Sequence, residues 1–428
     1  MRNHVNHCAI ALDLAIHTHQ VASKPATLLL SGPAAGVGAL TVVAEALGDS
    51  QLLSLEIGGT SADVMLMEDG RVPISERLDV GGYHCALPSV DIHTIGAGGG
   101  TLAWVDAAGL LHVGPQGAGA DPGPAPYGHG GPGATVTDAL LVLGRLRAGP
   151  YAGGSVTLDR QLACDAIEQT IAKPLGLTVE DAAVGILRLL EQNLLQAVER
   201  MTLERGLDAA NFTLVPAGGA GPIHGAEIGR RLGCKQLYVP RMSGTFCALG
   251  MLHVDVRHDF VRALLRPLES ASQPDIDAIY EELEAEAMAV LSEADFTPEQ
   301  RRFRREMDVR YAGQQWSIRI SVEPGDDTVA MRQRFEAAHE DRYRHTQPDG
   351  RAEITALHGI GYGLLSKLAA TPAQINEGAA TASGTRRTYI DERNGWVDAQ
   401  VYDASLEPGQ RVTGPAIIEE LTTTVCIG

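Results

Sequence analysis

The sequence predicts an α/β protein, and three observations carry that prediction. Short hydrophobic runs broken by glycine loops fill the first third; long runs with apolar residues at helical spacing follow; strand and helix signals then alternate. Of 49 glycines, 18 fall between Gly58 and Gly133 with no short repeat beneath them, so that stretch reads as strands joined by tight backbone loops rather than as a flexible linker.

Residues 1–30 form no defined pattern. His4, His7, His17 and His19 surround Cys8 at spacings that fit no standard metal site, and a frayed terminus is the simpler reading. Between Leu52 and Val72, the residues Leu53, Leu55 and Ile57 make a buried strand, Gly58, Gly59, Thr60 and Ser61 a tight loop, and Val64 to Met67 a returning strand, with Asp69-Gly70 as a turn. Such a hairpin aims successive backbone amides and two hydroxyls at one point, which suits terminal phosphates; Glu56 and Asp63 flank it as holders of hydrated magnesium. A plain glycine hairpin with solvent-facing hydroxyls fits the same residues equally well.

Asp91 and His93 are expected to share one face of a strand, near a cleft that the Gly96–Gly100 loop approaches, either contacting a metal or substrate carbonyl or satisfying each other in the core. Asp121, within a rigid Pro-Gly turn, reads as a pocket wall or a turn cap. Asp138 opens a helix and is expected either as its N-cap or as a catalytic acid. Apolar residues at helical spacing over 179–204 predict a long core helix ended by Gly206. A strand over 212–215 then leads through Gly218, Gly219 and Gly221 into a helix over 223–232, with Pro222 in its first turn. There the glycines admit close approach of a ligand or serve turn geometry alone. Further on, a helix is expected from Pro274 to Glu293, a strand pair around Ala312-Gly313, a helix over 331–343 and a surface loop over 372–385. The domain limits expected are 31–265 and 266–428.

The chain has 428 residues and a formal charge of −19, which argues against nucleic acid and anionic membrane surfaces as partners. Its six cysteines are scattered without CxxC spacing, so reduced thiols and a cytoplasmic setting are expected. No apolar run reaches membrane-spanning length.

Several longer motifs occur in order: SGPAAGVGAL (31–40), IGGTSADV (57–64), VDIHTIGAGGGTLAWVD (90–106), VGPQGAGADPGPAPYG (113–128), TVTDALLVLGRL (135–146), GGAGPIHGAE (218–227), VDVRHDF (254–260) and GPAIIEE (414–420). On these the chain resembles the hydantoinase A/5-oxoprolinase family, which includes the acetone carboxylase beta subunit. The resemblance implies an actin-like (ribonuclease H-like) ATPase lobe followed by a smaller α+β C-terminal domain. It makes Gly58–Ser61 a phosphate loop and Gly218–Gly221 an adenosine-side loop. ATP and Mg2+ (Mn2+ as the alternative) are the implied cofactors, and hydrolysis of a cyclic amide through phosphoryl activation of its carbonyl is the implied reaction. A non-catalytic assembly or regulatory subunit, or an acetone carboxylase-like subunit, is the competing expectation. The family generally has aspartate where this chain has Glu56, and begins with a lobe that has no counterpart here. The resemblance therefore implies a truncated member, split subunit or fragment that needs a hydantoinase B-like partner, the missing lobe, or both.

Overall fold

A computed structural model describes residues 7–11, 14–17, 31–75, 78–80, 83–85, 89–367, 375–376 and 378–428. The chain divides into a larger unit, Gly32–Leu252 with Ala369–Gly428, and a smaller one, Met1–Ser31 with His253–Leu368. The side chains of the early histidines and part of the expected 372–385 loop lie outside the described residues.

The larger unit starts with α1 (Ser31–Leu47) and is built on a five-stranded sheet: β1 (Leu52–Ile57), β2 (Ala62–Met67), β3 (Ile92–Ile95), then β4 (Thr213–Ala217) and β5 (Gln236–Leu237), in the order β5-β4-β1-β2-β3. β4 runs parallel to β1 and β5, whereas β2 is antiparallel to β1 and β3. Side-chain alternation sends Leu53, Leu55, Ile57, Val64 and Leu66 to one face, into the main core. Leu52, Met65, Met67 and Val215 go to the other, against Ala39, Leu40 and Val43 of α1. Both faces are covered, which is why these strands read as nearly continuous apolar runs.

The main core is completed by α2 (Val136–Val142), α3 (Arg160–Ile167), the 25-residue α4 (Val179–Leu203) and α5 (Gly221–Leu232). α4 carries the expected stripe, with Ile186, Leu187, Leu190, Leu194, Val198 and Met201 buried, and is capped by the Thr178 hydroxyl, which accepts from Asp181 N. A short helix α6 (Phe246–Met251) packs on the α1 side through Phe246. The chain then returns as a four-stranded sheet, β6 (Gly384–Tyr389), β7 (Trp396–Tyr402), β8 (Ala416–Glu419) and β9 (Thr424–Ile427), whose Tyr389, Ala399, Ile417 and Cys426 join the main core.

The smaller unit is a six-stranded sheet that combines the N-terminal strands His7–Ala11 and Leu14–His17 with Val256–Pro267, Ala352–Gly363, Arg301–Tyr311 and Ile318–Val322. Helices Gln273–Glu293 and Thr328–Tyr343 bury Tyr280, Leu283, Met331 and Phe335 against Met307, Val309, Ile320 and Leu357 on one face of it. Among the described residues, no helix is long and apolar enough to cross a membrane.

Candidate functional site

Adjacent parallel strands β1 and β4 end side by side, and a glycine loop leaves each C-terminal end. In open α/β sheets that edge is where ligands bind. The two loops are tied together: Ala220 N donates to Ile57 O (3.0 Å). Gly218 sits at φ +78°, and a Cβ there would lie 2.3 Å from Ile57 O, so only glycine admits this approach. A third loop, Gly96–Gly100, locks the first from the other side, with Gly99 N donating to Gly58 O (3.0 Å) and Gly100 N to Gly59 O (2.7 Å). Thr137 then donates to Gly99 O through both its amide and its hydroxyl (2.8 Å each), anchoring the start of α2 to that loop.

These bonds occupy the carbonyls of Ile57, Gly58 and Gly59. Gly58, Gly59 and Thr60 are exposed, and the amides of Gly59, Thr60 and Ser61 have no bond to another backbone group among the described residues. α5 starts at Gly221 without a side-chain cap; Pro222 has no amide hydrogen and Ile223 N donates to Ala220 O (3.1 Å), so only the Gly221 amide is left at this helix start. Ser243 O accepts from Gly218 N (2.7 Å), and the Thr423 hydroxyl donates to Gly219 O (3.0 Å). The arrangement can hold an anion by backbone amides alone.

Beside the loops, Glu56 and Asp63 are cross-strand partners, and Thr94 pairs with Asp63 on the next strand. All three point to the α1 and α6 face. The Thr94 hydroxyl donates to Asp63 Oδ1 (2.5 Å) and the Cys247 thiol to Glu56 Oε2 (2.8 Å). Burial raises the pKa of both carboxyls; the Cys247 bond opposes this at Glu56, where the charge of Asp63 adds to it, and the Thr94 bond opposes it at Asp63. Burial, with the Glu56 charge, also pushes the Cys247 thiol far above its ordinary value, which keeps it protonated and inert. Among the described residues, no group of three or more His, Cys, Asp and Glu is arranged to hold a metal ion, so a divalent cation here would rest on two carboxylates, water and ligand oxygens.

The other expected residues are placed elsewhere. The expected strand through Asp91 and His93 breaks at Asp91, between Ser89–Val90 and Ile92–Ile95. The Asp91 carboxylate pairs with Arg205, just past α4, and not with His93. His93 lies opposite Val64, on the α4 face, so this pair is across the sheet from Glu56 and Asp63. Burial and then Arg200 lower the His93 pKa against the opposing charges of Glu204 and Asp91. Asp91 stands four residues before Ile95, the last strand residue ahead of the Gly96–Gly100 loop.

Asp138 is not an N-cap. Thr135 holds that place, and Asp138 is the third helical residue, closing a capping box in which its Oδ2 accepts from Thr135 N (2.8 Å) and Thr135 Oγ1 (2.5 Å). Burial pushes its pKa up to about 7 against those bonds, and its Oδ1 is buried with no partner among the described residues.

Sequence reasoning did not single out Cys247, Thr94, Ser243 or Thr423, whose positions beside the loops depend on distant chain segments. It also missed a buried ionic cluster behind α5. Arg145 donates to Glu191 Oε1 (3.1 Å), Tyr389 O (3.1 Å) and Ile390 O, and His224, in the first turn of α5, bonds the same Glu191 oxygen through Nδ1 (3.2 Å). Burial alone would raise the Glu191 pKa, but Arg145 and His224 hold it below the ordinary value, while burial keeps His224 neutral.

The Hydantoinase/oxoprolinase family model matches residues 15–260, and the model of the Hydantoinase/oxoprolinase C-terminal domain matches 268–428. Caprolactamase subunit alpha of Pseudomonas jessenii is 34% identical over 409 residues, 93% of this chain and 58% of the relative. The acetone carboxylase beta subunit of Xanthobacter autotrophicus is 30% identical over 427 residues, 95% and 59% respectively. The chain thus spans about three-fifths of the length of these curated relatives. A nucleotide-free acetone carboxylase structure, from work on ATP-dependent acetone carboxylation, superposes with a TM-score of 0.82 at 29% identity, covering 98% of this chain and 62% of that one. The ATP-dependent caprolactamase of P. jessenii gives 0.76 at 33%, covering 94% and 60%.

Proposed function

Because this chain belongs to the hydantoinase/oxoprolinase family and has its actin-like ATPase lobe, we propose that its larger unit is the nucleotide-binding half of an ATP-dependent enzyme that opens cyclic amides, working with a partner subunit. The observation that carries this reading is the pair of glycine loops leaving adjacent parallel strands, joined by the Ala220–Ile57 bond. In this reading the outward amides of Gly59, Thr60 and Ser61 bind the terminal phosphates, while Gly218, Gly219 and Gly221 flank the adenosine side. Glu56 and Asp63 fit a hydrated Mg2+ or Mn2+: two partly buried carboxyls with raised pKa values in one row gain most from a cation that keeps both ionised. A divalent ion so placed supplies charge neutralisation at the phosphates.

The residues of this chain then position and shield. The amides fix the phosphate without moving, so they stabilise charge at no reorganisation cost. Asp138, bonded through α2 to the Gly96–Gly100 loop, is the buried acid able to hold a proton near neutrality, and the reading assigns it the proton-handling role. Asp91 and His93, on the opposite face, serve to fix β3 against α4. Phosphoryl transfer needs the phosphates clamped from more than one side. The partner subunit, the further lobe implied by the resemblance, a cytoplasmic setting and the cyclic-amide substrate all belong to this proposal. The competing reading, a ketone-activating carboxylase subunit, is favoured by the superposition on acetone carboxylase.

The test is a nucleotide titration of the purified chain, alone and with a candidate partner, followed by steady-state ATP hydrolysis over a panel of cyclic amides and ketones. Binding by the chain alone, with efficient turnover only in the presence of the partner, is expected. Absence of nucleotide binding in either sample would sink the nucleotide reading, and ordinary enzymatic turnover by the chain alone would sink the need for a partner.

A further inference from the structure

Four arginines converge at the end of α2 farthest from the glycine loops, in a chain whose net charge is −19. Arg147, Arg160, Arg386 and Arg387 line a cleft of about 760 Å3 within the larger unit, with Trp396 and Leu141 adding apolar surface. That volume lies within the ordinary range of small-molecule sites. The acids near it are Glu180, which lines it, Glu419, which accepts from Arg386 (2.6 Å) and lies 3.8 Å from Arg147, and Asp398, the cross-strand neighbour of Arg387. Four guanidinium groups against these three carboxylates still leave a local positive excess.

The arginines are also oriented. The Arg387 guanidinium lies over the Trp396 ring, 5.5 Å from its centroid, a cation–π contact that restrains the side chain at the cleft. Arg160 is held by its bond to Val142 O (3.2 Å) at the end of α2. Arg386 keeps Nη1 buried with no partner among the described residues, a charged donor whose desolvation is not yet offset. The cleft depends on Gly144: at φ +75°, a Cβ there would lie 2.4 Å from Arg387 O, so a side chain would push β6 and its two arginines away from α2.

We infer that this cleft binds a small organic polyanion bearing two or more phosphate or carboxylate groups, at a site separate from the glycine loops. Thr137, at the start of α2, bonds the Gly96–Gly100 loop, and Leu141 and Val142, at its end, line the cleft, so the seven-residue helix holds the two about 10 Å apart. A small ligand suits the cleft better than an acidic protein, because a whole protein surface would meet the repulsion of the −19 chain, whereas a small ion meets the local field. The inference does not depend on the nucleotide reading.

The test titrates the full chain with pyrophosphate and with citrate, following heat and tryptophan fluorescence. Saturable binding of either probe supports the site, and the probe preferred reports phosphate or carboxylate chemistry. Arg147 and Arg387 are exposed, so the R147Q/R387Q double variant keeps the Arg386–Glu419 and Arg160–Val142 contacts. It should bind about a hundredfold more weakly, near tenfold per arginine, with an unchanged circular dichroism spectrum. W396F should lose the fluorescence signal and keep the heat. Since pyrophosphate also suits the glycine loops, Gly59→Ala is titrated in parallel, and the binding that R147Q/R387Q removes should persist in it. No saturable heat at millimolar probe, binding indifferent to R147Q/R387Q, binding abolished instead by Gly59→Ala, or an equal response to potassium chloride at matched ionic strength would each overturn the inference.

Discussion

The two polar regions at the start of α5 are opposites. At the loop end, Gly58, Gly59 and Thr60 are exposed, the carbonyls of Gly58 and Gly59 accept from Gly99 and Gly100, and the amides of Gly59 and Thr60 have no backbone acceptor among the described residues. One helical turn further on, His224 is fully buried in the Arg145–Glu191–His224 cluster, whose charges are paired with one another and with the carbonyls of Tyr389 and Ile390. The open region spends little folding energy and leaves donors for a ligand. The closed region spends its polar groups on holding α4, α5 and β6 together, which fixes where the open loop sits. Binding capacity and stability are thus placed on the same helix but in different solvent environments.

The sharpest way to break that contrast is to open the closed region. R145M removes the cation and leaves Glu191 charged in the interior, so a loss of about 3–5 kcal/mol is expected in denaturant unfolding. E191Q made on top of R145M should recover part of it; a loss well below 1 kcal/mol for R145M would show that the cluster is not a stabilising closure. Asp138 tests the intermediate case, an acid that is buried but incompletely partnered. Its folded pKa, about 7, is raised above the ordinary 3.8, so the native state binds the proton more tightly than the unfolded chain does. Its contribution to stability is therefore fully present below about pH 4 and declines as pH rises toward 7, by at most about 4 kcal/mol. D138N should flatten that part of the stability–pH curve, measured by urea unfolding between pH 4 and 8, whereas an unchanged slope would place the titrating group elsewhere.

Gly218→Ala should cost about 1–3 kcal/mol, since it combines a positive φ with a clash against backbone. It should also weaken nucleotide binding. The smallest stability effect belongs to Gly59→Ala, where a Cβ meets nothing within 4 Å. Within about 0.5 kcal/mol of the parent in unfolding, it should still lower nucleotide affinity about tenfold by crowding the outward amides. If Gly59→Ala left nucleotide affinity untouched, the open region would be a turn and nothing more.

The glycine loops were legible in the sequence because each sits directly after an apolar strand, and strand–glycine–strand and strand–glycine–helix are local patterns. α4 was legible for the same kind of reason, its stripe recurring with the period of a helix over 25 residues. The partner of Asp91 was not. Two-residue alternation put Asp91 and His93 on one face, and both lie toward α4, but the strand breaks at Asp91 and its carboxylate pairs with an arginine 114 residues away in sequence instead of with His93. Asp138 shows a one-turn error: a helix was expected to follow it, but the helix starts at Val136 and the cap is Thr135, because Thr-x-x-Asp closes a capping box that a lone Asp cannot.

What the sequence determined by itself was the glycine hairpin after β1, the long helix α4, the strand–glycine–helix turn into α5 and thus the loops that could hold an anion, since these follow from contacts a few residues apart. The N-terminal strands His7–Ala11 and Leu14–His17, which pair within the smaller unit's sheet, were not legible. Only the tertiary structure decided which face each carboxylate occupies, that Cys247 and Thr94 complete the row with Glu56 and Asp63, and that residues 384–427 return to pack beside α5. It also gathered Arg147, Arg160, Arg386 and Arg387 from segments more than 200 residues apart. Burial and pairing depend on long-range packing, and a buried charge has no local signature: the same arginine reads as a solvated surface residue until the chain closes around it.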